Sequence, residues 1–172
     1  ILRGNRWPEL IAGGCTLVSV LVAYVAFSHR ALSLDESFTL LFATMPWASF
    51  TSHIQHTHTP DVALTAYYLL MRAWHAFTGP SAVAFRVPSM IFGSCAAIVL
   101  YYIARRLFDR WVAAIATSVF VCNAMWLVFA TNARAYTLVL FLALVSTLLF
   151  LEVVSTRSSV VAALAYSAAV GL

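Results

Sequence analysis

Four stretches of the chain, residues 10–27, 87–104, 111–130 and 136–154, are apolar and almost free of charge, and a fifth opens at Val160 and stops at Leu172. A helix rises about 1.5 Å per residue, so roughly 20 apolar residues cross a hydrocarbon layer of ~30 Å. Each of the four runs therefore predicts a membrane-spanning helix. Residues 29–85 read differently. A short helix is expected over about 35–44, followed by a polar, histidine-bearing stretch through Thr59. Beyond it, Asp61, Thr65, Tyr68, Arg72 and His75 recur at spacings of four and three, one stripe of a helix whose other side is apolar. That pattern predicts an amphipathic helix over 61–77 lying at the membrane surface, its polar face toward water or protein, with Thr59 as N-cap and Pro60 at the first helical position. The fold class expected is all-α: a polytopic transmembrane helical bundle with an external loop, 29–85, carrying interfacial helices. Residues 1–172 form one domain, and the start at Ile1 and the stop within an apolar run read as the N-terminal part of a longer protein.

Composition strengthens the membrane reading. Hydrophobic residues make up 63% of the chain and charged ones 9%, with mean hydropathy +0.91; a soluble domain carries about 25% charged residues. A water-soluble globular domain is excluded on that ground. The run at 10–27 is longer than the apolar core of a signal peptide and is not followed by a small-residue cleavage site, so it reads as a retained first span. Cys15, Cys95 and Cys122 lie inside apolar runs and imply no disulfide framework. Although the pI is near 9.3, no nucleic-acid partner is expected.

The basic residues are ten arginines and no lysine, and they orient the spans. Arg3 and Arg6 precede the first, Arg105, Arg106 and Arg110 lie between the second and third, and Arg157 follows the fourth. Short cytoplasmic loops collect basic residues, so these groups face the cytoplasm and 29–85 lies outside. Arg86 and Arg134 stand against that asymmetry at the external mouths of the second and third spans. Either an anionic ligand such as a lipid phosphate or ordinary headgroups would account for them.

All five histidines and the carboxylates Asp35, Glu36 and Asp61 fall in the external segment. Acids held beside hydrocarbon suggest function. Ser33-Leu34-Asp35-Glu36 also fits a capping box, with Asp35 merely favouring the helix dipole, and both readings stand. Asp61 admits the same pair of readings. His56 and His58 have the i, i+2 spacing of two ligands to a divalent metal ion on an extended segment, or are solvated loop histidines.

Leu34-Asp35-Glu36-Ser37-Phe38, Asp61 leading to Ala66-Tyr67-Tyr68-Leu69-Leu70-Met71, Gly79, Phe85-Arg86-Val87-Pro88-Ser89 and Ala133-Arg134-Ala135-Tyr136 occur in that order. Together they resemble the C-type glycosyltransferases, especially the protein O-mannosyltransferase and aminoarabinose-transferase group and its actinobacterial members, from about Arg3 to Val154. The resemblance implies an inverting enzyme that moves a mannose- or arabinose-like sugar from a polyprenyl-phosphate donor to a glycan or protein acceptor. It implies a multi-pass protein of the bacterial plasma membrane with its active site on the extracytoplasmic side. Asp35, with Glu36 beside it, matches the essential acid, and Arg86 and Arg134 match arginines that face the donor phosphate; Asp61 and Tyr136 are further candidates. Relatives often carry a His-Pro-Pro type sequence where Thr57-His58-Thr59-Pro60-Asp61 stands here, which opens the question of a metal and of His58. Two other classes fit the same residues: a transporter or flippase of polyprenyl-linked substrates, and a noncatalytic membrane partner of the same fold.

Overall fold

A computed structural model describes residues 6–27, 30–56, 64–156 and 166–167. These residues form helices α1 (Trp7–Phe27), α2 (Leu34–Thr44), α3 (Trp47–His56), α4 (Thr65–Thr78), α5 (Ala82–Leu107), α6 (Arg110–Val121), α7 (Ala124–Ala130) and α8 (Tyr136–Thr156). No strand occurs among the described residues. α1, α5 and α8 are long and apolar enough to cross a membrane. Their large apolar side chains point outward: Leu17, Leu21 and Val25 on α1, Ile91 and Ile98 on α5, and Val139 on α8 are all exposed. Hydrocarbon tolerates such a surface and water does not. Helix-to-helix contact falls instead on small residues, with Ala12 of α1 against Ala113 and Ala114 of α6 and Ala104 of α5, which let backbones approach closely.

Residues 111–130, expected as one straight span, are instead broken. The helix stops at Val121, and α7 leaves at 63° to α6. The physical cause is Asn123, whose side-chain oxygen accepts from the Met125 N–H and caps α7 rather than continuing α6. The chain thus has three candidate spans, or four if the bent pair is one.

Three shorter helices gather at the Ala82 end of α5. α2 begins as expected, with Ser33 at the N-cap and the full capping box in place. The polar stretch expected after it is helical from Trp47 to His56, a second departure from the sequence reading. α4 starts at Thr65, and the cap expected at Thr59 and Pro60, with Asp61, lies outside the described residues. Its polar stripe faces inward onto protein: Tyr68 is fully buried, its ring stacked on Phe42 of α2 at 4.6 Å, while Leu69, Leu70 and Phe77 face out. Arg72 Nη1 donates to the Phe42 and Met45 carbonyls at 2.8 and 2.9 Å, satisfying the C-terminal end of α2. The same guanidinium lies over the Trp47 and Phe50 rings of α3 at 5.2 and 5.0 Å. One arginine thus ties three helices together.

α4 is fastened to α5 through a proline. Pro88 lies inside α5 and has no N–H to give the carbonyl four residues back, that of Ala84. The Trp74 indole of α4 donates to that carbonyl at 2.9 Å.

Candidate functional site

Two acid–arginine pairs lie side by side where α2, α5 and the turn between α7 and α8 converge. Glu36 and Arg86 make the inner one, 5% and 3% exposed. Arg86 Nε donates to Glu36 Oε1 at 2.8 Å and Nη2 to Oε2 at 2.9 Å, a planar fork on a planar carboxylate. The backbone N–H of Ser33 donates to Oε2 at 2.9 Å and that of Ala133 to Oε1 at 3.1 Å. A carboxylate offers about four acceptor sites, and these four donors fill them. Burial pushes the Glu36 carboxyl up, but the Arg86 hydrogen bonds, the Ser33 and Ala133 N–H groups and the Arg86 charge together outweigh it and hold the group below its ordinary value. Arg86 gives two more hydrogens to the chain: Nη1 donates to the Arg30 carbonyl at 2.9 Å and Nη2 to that of Ala31 at 3.1 Å.

Asp35 and Arg134 make the outer pair, Oδ1 to Nη2 at 3.6 Å. Here the acid side chain is 56% exposed and the arginine 16%. Arg134 Nη1 also donates to the Tyr68 hydroxyl at 3.5 Å, and Ser89 Oγ donates to the Arg134 carbonyl at 3.4 Å. Burial pushes the neighbouring Tyr67 phenol up, with Ser89 and the Arg134 charge offsetting this only in part, so Tyr67 is a neutral hydroxyl. Beside the inner pair opens a polar cavity of about 310 Å³, lined by Arg30, Ala31, Ser33, Val128, Thr131 and Asn132 as well as Glu36 and Arg86. Asn132 Oδ1 is buried in this region and has no hydrogen-bond partner among the described residues.

No family model, curated protein or solved structure matches this chain.

The structure brings together Asp35, Glu36, Arg86 and Arg134, drawn from three separate parts of the sequence, and divides their labour. Glu36 serves as the capping-box acid and as a keystone of charge, with no acceptor site left for a substrate proton. Arg86, expected to face a lipid phosphate, directs four of its five N–H groups at Glu36 and two backbone carbonyls. Asp35 and Arg134 remain open. Tyr136 begins α8, exposed, with its ring on Phe129 at 4.9 Å. His56 is an exposed residue at the end of α3 whose Nδ1 is 2.9 Å from the Ser52 carbonyl. His58 lies outside the described residues, as does Asp61, and no group of three or more His, Cys, Asp or Glu that could hold a metal stands among the described ones. The His56–His58 pair suggested by the spacing thus lies partly outside the described residues.

Sequence reasoning missed Arg30, Ala31 and Ala133, which act through backbone atoms and leave no side-chain signature. It also missed Asn132. Its signal was available: a polar side chain two residues before an arginine already singled out.

Proposed function

We propose that the chain belongs to a membrane glycosyltransferase that takes a sugar from a polyprenyl-phosphate donor, with Asp35 as general base and Arg134 as the cation that meets the donor phosphate. The observation that carries this reading is the open Asp35–Arg134 pair seated against the locked Glu36–Arg86 pair. A base must be exposed to receive an acceptor and held in place by something that is not itself consumed. Asp35 sits one residue before Glu36, so the four hydrogen bonds on Glu36 fix the helix turn that presents it.

The reaction uses both open groups. Asp35 takes the proton of an acceptor hydroxyl as that oxygen bonds to the anomeric carbon, and the bond from that carbon to the phosphate oxygen breaks. The electron pair leaves with the polyprenyl phosphate, whose added charge Arg134 stabilises. A single displacement inverts the sugar. The 310 Å³ cavity, at the small end of the ligand-pocket range, offers hydroxylated ligands the free Asn132 acceptor. In this reading α1, α5, α6–α7 and α8 form a multi-pass bundle in a bacterial plasma membrane, and α2 to α4 lie on the extracytoplasmic face, as the arginine asymmetry requires.

The test is sugar transfer from a polyprenyl-phosphate donor by the full-length protein. Asp35→Asn should lower transfer roughly 10²–10⁴-fold with donor binding retained. Ser33→Ala, which weakens the cap and leaves the carboxylate, should stay within a few-fold of wild type. Equal losses in the two variants, or near-normal transfer by Asp35→Asn, would remove Asp35 as the base. Donor binding without any transfer by the wild-type protein would favour a transporter or flippase, which needs the phosphate contact and no base.

A further inference from the structure

A second cavity, of about 470 Å³, shares no lining residue with the first and lies between α1 and α5, with Thr117 of α6 also lining it. It exists because α1 and α5 each pack on α6 and touch each other far less. Ala12, Gly13, Leu17 and Val20 form one wall, and Ala97 and Ile98 contribute to the other. Most of the lining is hydrocarbon. One end is not: Glu9, Tyr101 and Tyr102 line it, and Arg105 Nη1 stands 3.7 Å from Glu9 Oε1, too far for a hydrogen bond. The other Glu9 oxygen, Oε2, and the Tyr101 hydroxyl are buried there, and neither finds a hydrogen-bond partner elsewhere among the described residues. Tyr101 is 8% exposed.

An apolar trough that ends in a loosely paired acid and base has the chemistry of a lipid with both charges in its headgroup. Resting on the reading that α1 and α5 cross a membrane, we propose that this groove holds one acyl chain of a phosphatidylethanolamine. Its phosphate lies on Arg105, and its ammonium donates to Glu9 Oε2. The eleven residue steps from Glu9 to Val20 span about 16 Å of helix, close to the ~15 Å depth of one leaflet. A phosphate alone would satisfy Arg105 and leave the buried carboxylate oxygen facing a second negative group. A quaternary ammonium, as in phosphatidylcholine, would bring charge but no N–H. Of these headgroups the primary ammonium brings both a positive charge and a hydrogen-bond donor to that oxygen, beside the Tyr101 hydroxyl that lines the same end.

Gly13 provides the handle for a test, because a side chain placed on it meets nothing within 4 Å and points into the groove; Gly14 is equally open but does not line it. The full-length protein, carrying a benzophenone amino acid at position 13 or 14, is reconstituted in vesicles of equal phosphatidylethanolamine and phosphatidylcholine and irradiated. Position 13 should capture phosphatidylethanolamine with a preference of about tenfold, the scale of a charge-assisted hydrogen bond, and position 14 at the bulk ratio. Glu9→Gln should bring the preference at position 13 close to one. The unmodified protein, examined by native mass spectrometry after extraction from the same vesicles, should retain phosphatidylethanolamine in preference to phosphatidylcholine, and Glu9→Gln should not. Equal capture of both lipids at position 13, or crosslinks from it to another segment of the protein or to a second copy, would overturn the proposal. So would a stronger preference for phosphatidylglycerol in a parallel mixture. None of these readouts depends on sugar transfer, so the groove and the glycosyltransferase reading stand or fall separately.

Discussion

Glu36 and Arg86, fifty residues apart in the chain, meet edge to edge at 2.8 and 2.9 Å with almost no access to solvent. Removing one partner strands a buried charge, which costs about 3–5 kcal/mol. Arg86→Met and Glu36→Gln should therefore each destabilise the protein strongly in detergent unfolding, whereas the double variant Glu36→Gln, Arg86→Met should lose less than the two single losses combined. Additive losses would mean the pair is not coupled as its geometry requires.

The same pair sets a pH dependence. The Glu36 carboxyl is held below its ordinary value of 4.5 in the folded chain, so its contribution to stability is fully present above that value and fades as pH falls through the folded-state value. Thermal stability measured from pH 7 down to pH 3 should drop at the acid end, and Glu36→Gln should flatten that drop. An unchanged acid limb in Glu36→Gln would assign it to other carboxylates.

Arg134 should behave in the opposite way to Arg86. Its partner Asp35 is more than half exposed, and exposed pairs contribute about 0–1 kcal/mol. Arg134→Ala is expected to fold with nearly wild-type stability and to lose donor-lipid affinity by a few kcal/mol. Unchanged affinity, measured by titration of the purified variant with polyprenyl phosphate, would remove the phosphate role from Arg134.

Trp74 and Pro88 should be coupled through the Ala84 carbonyl. Trp74→Phe leaves that carbonyl without a donor and is expected to cost about 1–3 kcal/mol. In a Pro88→Ala background, residue 88 regains an N–H that can reach the same carbonyl, and Trp74→Phe should cost clearly less. A double-mutant cycle on thermal unfolding measures the difference; equal costs in both backgrounds would show that the indole hydrogen bond is not what holds α4 to α5.

Orientation can be read with single cysteines introduced in a cysteine-free background. Gln55→Cys at the end of α3 should react with an impermeant maleimide added to intact cells, and Phe108→Cys should react only after lysis. Phe108 is chosen over Asp109 because the Asp109 carboxylate accepts from two N–H groups at the start of α6. The reverse labelling pattern would invert the topology.

Much of this arrangement is legible in the sequence, for identifiable reasons. Asp35, Glu36, Arg86 and Arg134 attract notice because charge beside hydrocarbon needs a partner, and the cheapest partners were one another. Ser33 and Glu36 announce α2 by local spacing alone. The break at Asn123 is invisible to an averaged hydropathy, in which one capping side chain among nineteen apolar or small neighbours is diluted. The direction of the α4 stripe is hidden for another reason: periodicity shows that a helix has two faces, not which of them meets protein. α3 goes unread because its five polar ring and hydroxyl positions, Ser49, Thr51, Ser52, His53 and His56, look like loop chemistry until Arg72 is placed over Trp47 and Phe50. The backbone donors and acceptors around Glu36 and Arg86 carry no letter of their own in a sequence.

The bend at Asn123 also has a mechanical consequence. α5, with 26 residues, is about 39 Å long, but α6 and α7, with 12 and 7 residues at 63° to each other, advance only about 23 Å along the α6 axis. Counted as one span, that pair falls roughly 7 Å short of a ~30 Å hydrocarbon layer. If the pair is one span aligned with α5, the bilayer would thin where α7 ends, because local thinning is how lipid meets a short span. The turn that follows α7 carries Asn132 and Arg134. On the proposed reading, such thinning would bring a donor phosphate down to the Arg134 guanidinium rather than requiring the arginine to reach up to the surface.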